Sequence, residues 1–293
     1  MQTLARNLFD FDAPISESQR WYVRLVEVFV VFYSVWFVWV WAAYIPEISS
    51  FVLPLGVAEH VDMSFMFRPG MASINAGLIT VLGVMGFARV WRGSYMAALL
   101  LFHIQYVSRY SLGEISHGSN FIGMSLLAFA LAAIFFSDRD HYNRFAMGAI
   151  FFFFGLGYTS AAVCKLVGTG LDWSQGEHLL LWIGERQVDT ISRLGIFEPN
   201  IVQDLIFADA RWGTLVLTFG LVTEAFGWLL WFKKTRYFVL WAIIGLHFGI
   251  ALSMNIFFET YTYQLLLLSL PGLAALYSRF SKRPDQLAVE PTG

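Results

Sequence analysis

FAMGAIFFFFGLGYTSAAVCKLV, residues Phe145–Val167, decides how the rest of the chain is read. It carries no charge until Lys165, and its length exceeds the stretch of about 20 residues, at 1.5 Å rise each, that crosses the hydrocarbon of a bilayer. The composition around it agrees. Of 293 residues, 57% are hydrophobic, 18% aromatic and 14% charged, against about 25% charged in a soluble domain; mean hydropathy is +0.60. Seven further apolar runs flank this one: Trp21–Ile45, Ala72–Val90, Tyr95–Leu112, Phe121–Phe136, Gly213–Phe232, Tyr237–Phe258 and Thr260–Tyr277. The expectation is an all-α polytopic bundle of about eight transmembrane helices. The fourth run is short and the last is interrupted by Pro271, so seven to nine crossings are compatible with the pattern.

Basic residues resist translocation, which gives the topology. With the N-terminus in the cytosol, thirteen of the 19 lysines and arginines fall in cytosolic segments. Arg68, Arg109, Lys165, Arg186, Arg193 and Arg211 fall outside. Residues 1–20 lack the continuous apolar core of a signal peptide and read as a cytosolic amphipathic lead-in. Residues 21–278 form the membrane domain, and 279–293 a cytosolic tail. Two longer outer segments are expected to be extracytoplasmic and interfacial: Pro46–Met71, and Gly168–Trp212, where Leu180, Ile183, Val188, Ile191 and Leu194 recur at near-helical spacing. The net charge of −2 and the scattered basic residues give no sign of a nucleic-acid partner. Cys164 is the single cysteine, so no intrachain disulfide forms and no Cys/His metal spacing exists.

Ionisable groups within apolar helices are costly and tend to face a cavity or a partner. His103, Glu224 and His247 lie near the middle of their runs. Arg109, Lys165, Asn255 and Glu259 lie near outer ends, with Glu114 and His117 just beyond. Arg24 and Glu27, at i,i+3, read as a structural pair at the inner interface. Each has a plainer reading too. Lys165 and Arg109 can snorkel to headgroups, His103 and His247 can be neutral core histidines, Glu224 can be protonated, His117 can be a loop residue or cap, and Cys164 a small buried hydrophobe. Against these stands one coincidence: Tyr158 and Lys165, seven apart, share a helix face. A lysine held there with little water keeps part of its amine neutral, as a general base at a lipid-accessible depth. His103, Glu224 and His247 also supply the types of a two-His, one-carboxylate metal site. They lie on separate helices with no ligand spacing, and no metal is expected.

Four segments, HGSNFIGMSLLAFALAAIFFSDRD (117–140), YTSAAVCKLVGTGLDWSQG (158–176), LVTEAFGWLLWF (221–232) and LHFGIALSMNIFFETYTYQLLLLSLP (246–271), resemble, in order, those of the membrane domain of vitamin K-dependent γ-glutamyl carboxylases, the HTTM domain. Lys-Leu followed by Asp-Trp-x-x-Gly is the most specific piece. The resemblance implies a membrane enzyme using reduced quinone (vitamin K or menaquinone hydroquinone) and oxygen, with carbon dioxide as a further reactant. Lys165 would be the initiating base and His117 the histidine supporting the oxygenated intermediate. Trp173 and Gly176 would shape the site; Tyr158, Glu224, His247 and His103 would line the quinone cavity. The departures are Cys164, where the carboxylases have the first of two lysines, and the large extracytoplasmic region that follows in them. A partner protein supplying that region is therefore an expectation. Short bacterial members include a component of peptide-toxin maturation, so the expected setting is a bacterial inner membrane and the expected substrate a small secreted peptide or lipid-soluble molecule. Two rivals stand beside this reading: a non-catalytic component of peptide maturation or export, and a proton-coupled transporter with His103, Glu224 and His247 as relay.

Overall fold

Ser16 opens the first long helix with a capping box: its hydroxyl accepts from the Gln19 amide at 3.3 Å, and the Gln19 side chain accepts from the Ser16 amide at 3.0 Å. In the computed structural model, which describes residues 2–111 and 117–281, helices are the regular secondary structure throughout. They are α1 (Gln2–Leu8), α2 (Glu17–Tyr44), α3 (Met71–Phe87), α4 (Ser94–Tyr110), α5 (His117–Phe135), α6 (Arg139–Thr169), α7 (Gly176–Leu194), α8 (Ile201–Ala208), α9 (Ala210–Ala225), α10 (Arg236–Met254) and α11 (Glu259–Ser281). Each of the eight apolar runs contains helix. Those over Glu17–Glu47, Gly118–Phe135, Arg139–Ser174 and Arg236–Met254 are long and apolar enough to cross a membrane. The pair α8 and α9, bent by 116°, makes a fifth if counted as one span. Apolar helices of this length mark a helical membrane protein; α3 and α4, at 17 residues each, are shorter.

Polar contacts sort the helix ends into two groups. At one end Arg20 holds Asp140 through two hydrogen bonds of 2.9 and 2.8 Å, joining the starts of α2 and α6. Arg24 donates to Glu27 at 2.7 Å and to the Phe87 carbonyl at 2.8 Å, bringing in the end of α3. Glu27 also accepts from Tyr95 of α4 and Tyr142 of α6, at 2.9 and 2.8 Å. The pair read from sequence thus exists, at the centre of a four-helix cluster. Residues 8–14 of the N-terminal segment pack here too: Lys233 pairs with Asp10, Arg144 donates to the Ala13 and Pro14 carbonyls, and Leu8 is buried in the main core. Asp138 caps α6 at this end, accepting from the amides of Asp140 and His141 and from His141 Nδ1. These donors, the His141 amide foremost, hold its carboxyl below the ordinary 3.8. A depressed carboxylate contributes stability above its unfolded pKa and loses it as pH falls through the folded value. Protection of the amides at residues 140–142, taken relative to their intrinsic exchange rate at each pH, should fall on acidification below about pH 4 in the native chain, and be low already at neutral pH in Asp138→Ala.

Deeper in, amides and hydroxyls pin helices whose faces are otherwise alike in lipid. Asn75 donates to Gln105 at 2.7 Å and to the Leu101 carbonyl; Gln105 donates to the Val38 carbonyl, joining α2, α3 and α4. Gln264 donates to Ser125 at 2.7 Å, joining α11 to α5. Pro271 does not break the last helix, contrary to the sequence reading; α11 continues through it. A proline leaves the carbonyl four residues earlier without its helical donor, and here that carbonyl, Leu267, accepts from the Tyr22 hydroxyl at 3.3 Å. The external donor substitutes for the missing amide.

At the other end, short 3₁₀ turns between α2 and α3 seat Ile45, Ile48, Met66 and Phe67 as a lid over a second core cluster. The amphipathic α7 buries Leu179 and Ile183 against α9, while Val188, Ile191 and Leu194 remain exposed. The tail beyond residue 281 and Glu114 lie outside the described residues.

Candidate functional site

Two glycines bring the site's helices together. Gly155 of α6 lies against the 3₁₀ turn Gly227–Trp231 that follows α9, and a Cβ on Gly227 would stand 2.8 Å from Cβ of Tyr158. The turn is held by Trp228, whose amide donates to Thr159 Oγ1 at 2.8 Å, and by Trp231 Nε1, which donates to the Phe152 carbonyl. This contact sets α9 alongside the last turns of α6. Lys165 Nζ then reaches Glu224 Oε2 at 2.5 Å.

The lysine-then-glycine ending of α6 has its explanation in the same place. Gly170, at φ +66°, stops the helix in a backbone conformation that favours glycine. The following turn folds Trp173 back over the lysine, with Nζ 4.3 Å from its ring centre. Gly176 then crosses α9 at Gly213, so closely that a Cβ would collide with the Ala210 carbonyl; its amide donates to Thr214 at 2.9 Å. Gly176→Ala should therefore prise α7 from α9. The expected outcome is a lower unfolding temperature together with faster protease cleavage after Arg186 in α7.

Two cavities meet at the ion pair. One, about 550 Å³, lies between α5, α6, α9, α10 and α11, with Lys165, Glu224, Tyr158 and His247 in its wall. The other, about 360 Å³, runs between α7, α9 and α10 under Trp173 and Trp182 and shares Lys165 and Glu224. The Tyr158 hydroxyl and His247 Nε2 form a 2.7 Å hydrogen bond. Nδ1 of His247 is buried with no protein partner. Tyr261 stacks on the imidazole with centroids 5.5 Å apart, and Phe121 stacks on Tyr158 at 5.6 Å. The arrangement is an aromatic-walled chamber with two polar pairs, one charged and one neutral. It can seat a flat apolar molecule and exchange protons with its polar edges.

Tyr158, Lys165, Trp173, Glu224 and His247 are thus brought together as the sequence suggested. The side chain of Lys165 keeps 27% exposure and that of Glu224 11%; the amine neither snorkels away nor stands alone. His103 lies elsewhere: it lines neither cavity, is exposed, and sits beside Gly56 and Tyr106 under the turns that follow α2. Contrary to the expectation that it lines a quinone cavity with Glu224 and His247, His103 is kept from this chamber because α4 presents that position to a different part of the bundle. The relay and the metal triad built on it are not assembled, and among the described residues no cluster of three His, Cys, Asp or Glu could hold a metal. Cys164 is exposed, not a buried hydrophobe: one position before Lys165 on α6, it is turned away from the cavities that the lysine lines. His117 opens α5, but its side chain lies outside the described part. Sequence reading missed Tyr261, Phe258 and Phe121, whose only signal was aromatic density within already apolar runs. No family model, curated protein or solved structure matches the chain.

Proposed function

We propose that this chain is an eight-crossing protein of a bacterial inner membrane, with both termini cytosolic, and that it is a carboxylase-like enzyme of the HTTM class acting with a quinol and oxygen. The observation that carries the proposal is the Lys165–Glu224 pair in the wall of a 550 Å³ aromatic cavity. Supporting the topology, the ends of α2, α3, α4 and α6 alternate in a way consistent with successive crossings, as the contacts around Glu27 require.

The residues suit a quinol head on three counts. The cavity lies in the range of about 300–1,000 Å³ that takes small molecules, its wall is mostly apolar and aromatic, and its polar groups form two separate pairs, as a molecule with two hydroxyls requires. A quinol supplies electrons and, with oxygen, a base stronger than any side chain. Lys165 and Glu224 act as a unit. In the ion-paired form the base is Glu224 and not Lys165, which the resemblance implied: the Glu224 carboxylate accepts the proton of a bound hydroxyl, and the Lys165 ammonium offsets the negative charge left behind. Tyr158 and His247 orient the opposite edge, with His247 Nδ1 as the unused polar atom. Trp173 lies over the ammonium, its ring face toward the charge. His117 is assigned to the oxygen step on resemblance alone.

The test is oxygen consumption and quinone-epoxide formation by the protein in nanodiscs supplied with reduced menaquinone, beside Lys165→Ala and His117→Ala. Epoxide formed by the native chain and lost in Lys165→Ala is the expected result. A folded protein that turns over no quinol overturns the proposal and leaves a non-catalytic role in peptide maturation or export as the better account.

A further inference from the structure

Far from the Lys165 site, at the end of the bundle where the basic residues gather, a cavity of about 360 Å³ opens between segment 8–23, α6, α10 and α11. Its wall contains Arg144, Lys233 and Arg236 against the one carboxylate of Asp10, three positive charges and one negative. Lys233 is paired with Asp10. The two guanidiniums have no carboxylate partner among the described residues. Arg236, 9% exposed, donates only to the Leu230 and Asn7 carbonyls and lies over the Phe151 ring. Arg144 donates to the Ala13 and Pro14 carbonyls and leaves a buried Nε without a partner. Beside it Asn143, 4% exposed, has a buried Nδ2 with no partner. A buried cation left unpaired is expensive, and an orphaned amide donor adds to the cost. Both are offset by an anion that accepts several hydrogen bonds.

The rest of the wall says what that anion is attached to. Phe9, Val23, Met147, Phe151 and Pro271 give it an apolar side, and it lies at the end of helices long enough to cross a bilayer. Basic pockets between membrane helices near the headgroup level suit anionic lipid heads, and guanidiniums suit phosphate. We infer that this cavity binds the phosphate of an anionic phospholipid, with the N-terminal segment folded over the head and the acyl chains running along α6 and α11.

Native mass spectrometry of the full chain, offered an equimolar mixture of phosphatidylglycerol and phosphatidylcholine, tests it. Phosphatidylglycerol is expected to be retained in preference. Arg144→Gln should weaken that retention about tenfold, the worth of one charge-assisted hydrogen bond. Asp10→Asn, which removes the one negative charge and frees Lys233, should strengthen it; this gain does not depend on a destabilised variant surviving. Arg211→Gln, exposed at the opposite end, should leave it unchanged. Equal retention of the two lipids, or phosphatidylglycerol retention indifferent to both Arg144→Gln and Asp10→Asn, overturns the inference. So does inorganic phosphate raising the unfolding temperature as much as the lipid, since the apolar wall would then have no role.

Discussion

Glu27→Ala is expected to be the most destabilising single change at the basic end of the bundle. The carboxylate is 1% exposed and binds Arg24, Tyr95 and Tyr142 directly, with Arg89 at 3.9 Å. Its removal leaves a guanidinium and two phenols without their acceptor, and the neighbouring apolar side chains cannot supply one. Breaking a buried pair from one side costs about 3–5 kcal/mol. Two features offset part of this: Arg24 keeps the Phe87 carbonyl and its position 3.2 Å over the Phe87 ring, and Arg89 keeps the Tyr142 ring. A loss of about 3 kcal/mol remains as the expected value. It should be measured as unfolding in mixed micelles with increasing denaturing detergent. Glu27→Gln retains an acceptor for one tyrosine and should fall between alanine and the native chain. Tyr95→Phe and Tyr142→Phe should each cost about 1 kcal/mol, because the carboxylate keeps its other partners. If Glu27→Ala unfolds like the native chain, the four-helix cluster does not form.

This cluster also marks how far the sequence could be read. Arg24 and Glu27 were legible as a pair because both lie on one helix, where spacing fixes which side chains meet. Tyr95 and Tyr142 were not, since their meeting depends on how α4 and α6 are rotated about their own axes. In a soluble helix the polar face reports that rotation. In helices as uniformly apolar as α3, α5 and α10 nothing in the pattern does, and buried Asn75, Gln105 and Gln264 are too few to orient them from sequence alone. The same limit explains His103: the direction in which α4 presents it was not readable from the pattern. Lys165 and Tyr158 were more accessible to inference because their spacing on one helix fixes a shared face; Glu224 was placed nearer the middle of the bundle than Lys165, and their pairing was not read from sequence. The bend between α8 and α9 carried its own local sign. Asp209 adopts an extended backbone, φ −156° and ψ 115°, and caps α9 through the Arg211 amide. The apolar run read from sequence begins at Gly213, inside α9, and so misses the cap.

Stability and activity should part company at the Lys165–Glu224 pair. Lys165→Met leaves the Glu224 carboxylate beside apolar walls without its cation, and Glu224→Gln leaves the ammonium without its anion. Each single change is expected to cost about 3 kcal/mol, the low end for a buried pair because the lysine keeps 27% exposure. The double variant Lys165→Met/Glu224→Gln removes both charges, and Met and Gln occupy nearly the volumes they replace. It should recover most of the lost stability and so cost far less than the sum of the two single changes, the coupling expected of groups in direct contact. Quinol oxidation should behave in the opposite way. If Glu224 accepts the proton and Lys165 offsets the charge it leaves, either single change removes one half of a concerted act, at a cost of about 10²–10⁴-fold in turnover. The double variant would be no better than the worse single, since restored packing returns neither function. Recovery of turnover together with stability would mean that the pair only holds α6 to α9, and the chemistry would have to be sought in the neutral pair of Tyr158 and His247. Unfolding midpoints and oxygen consumption measured on the same four preparations distinguish the two outcomes directly.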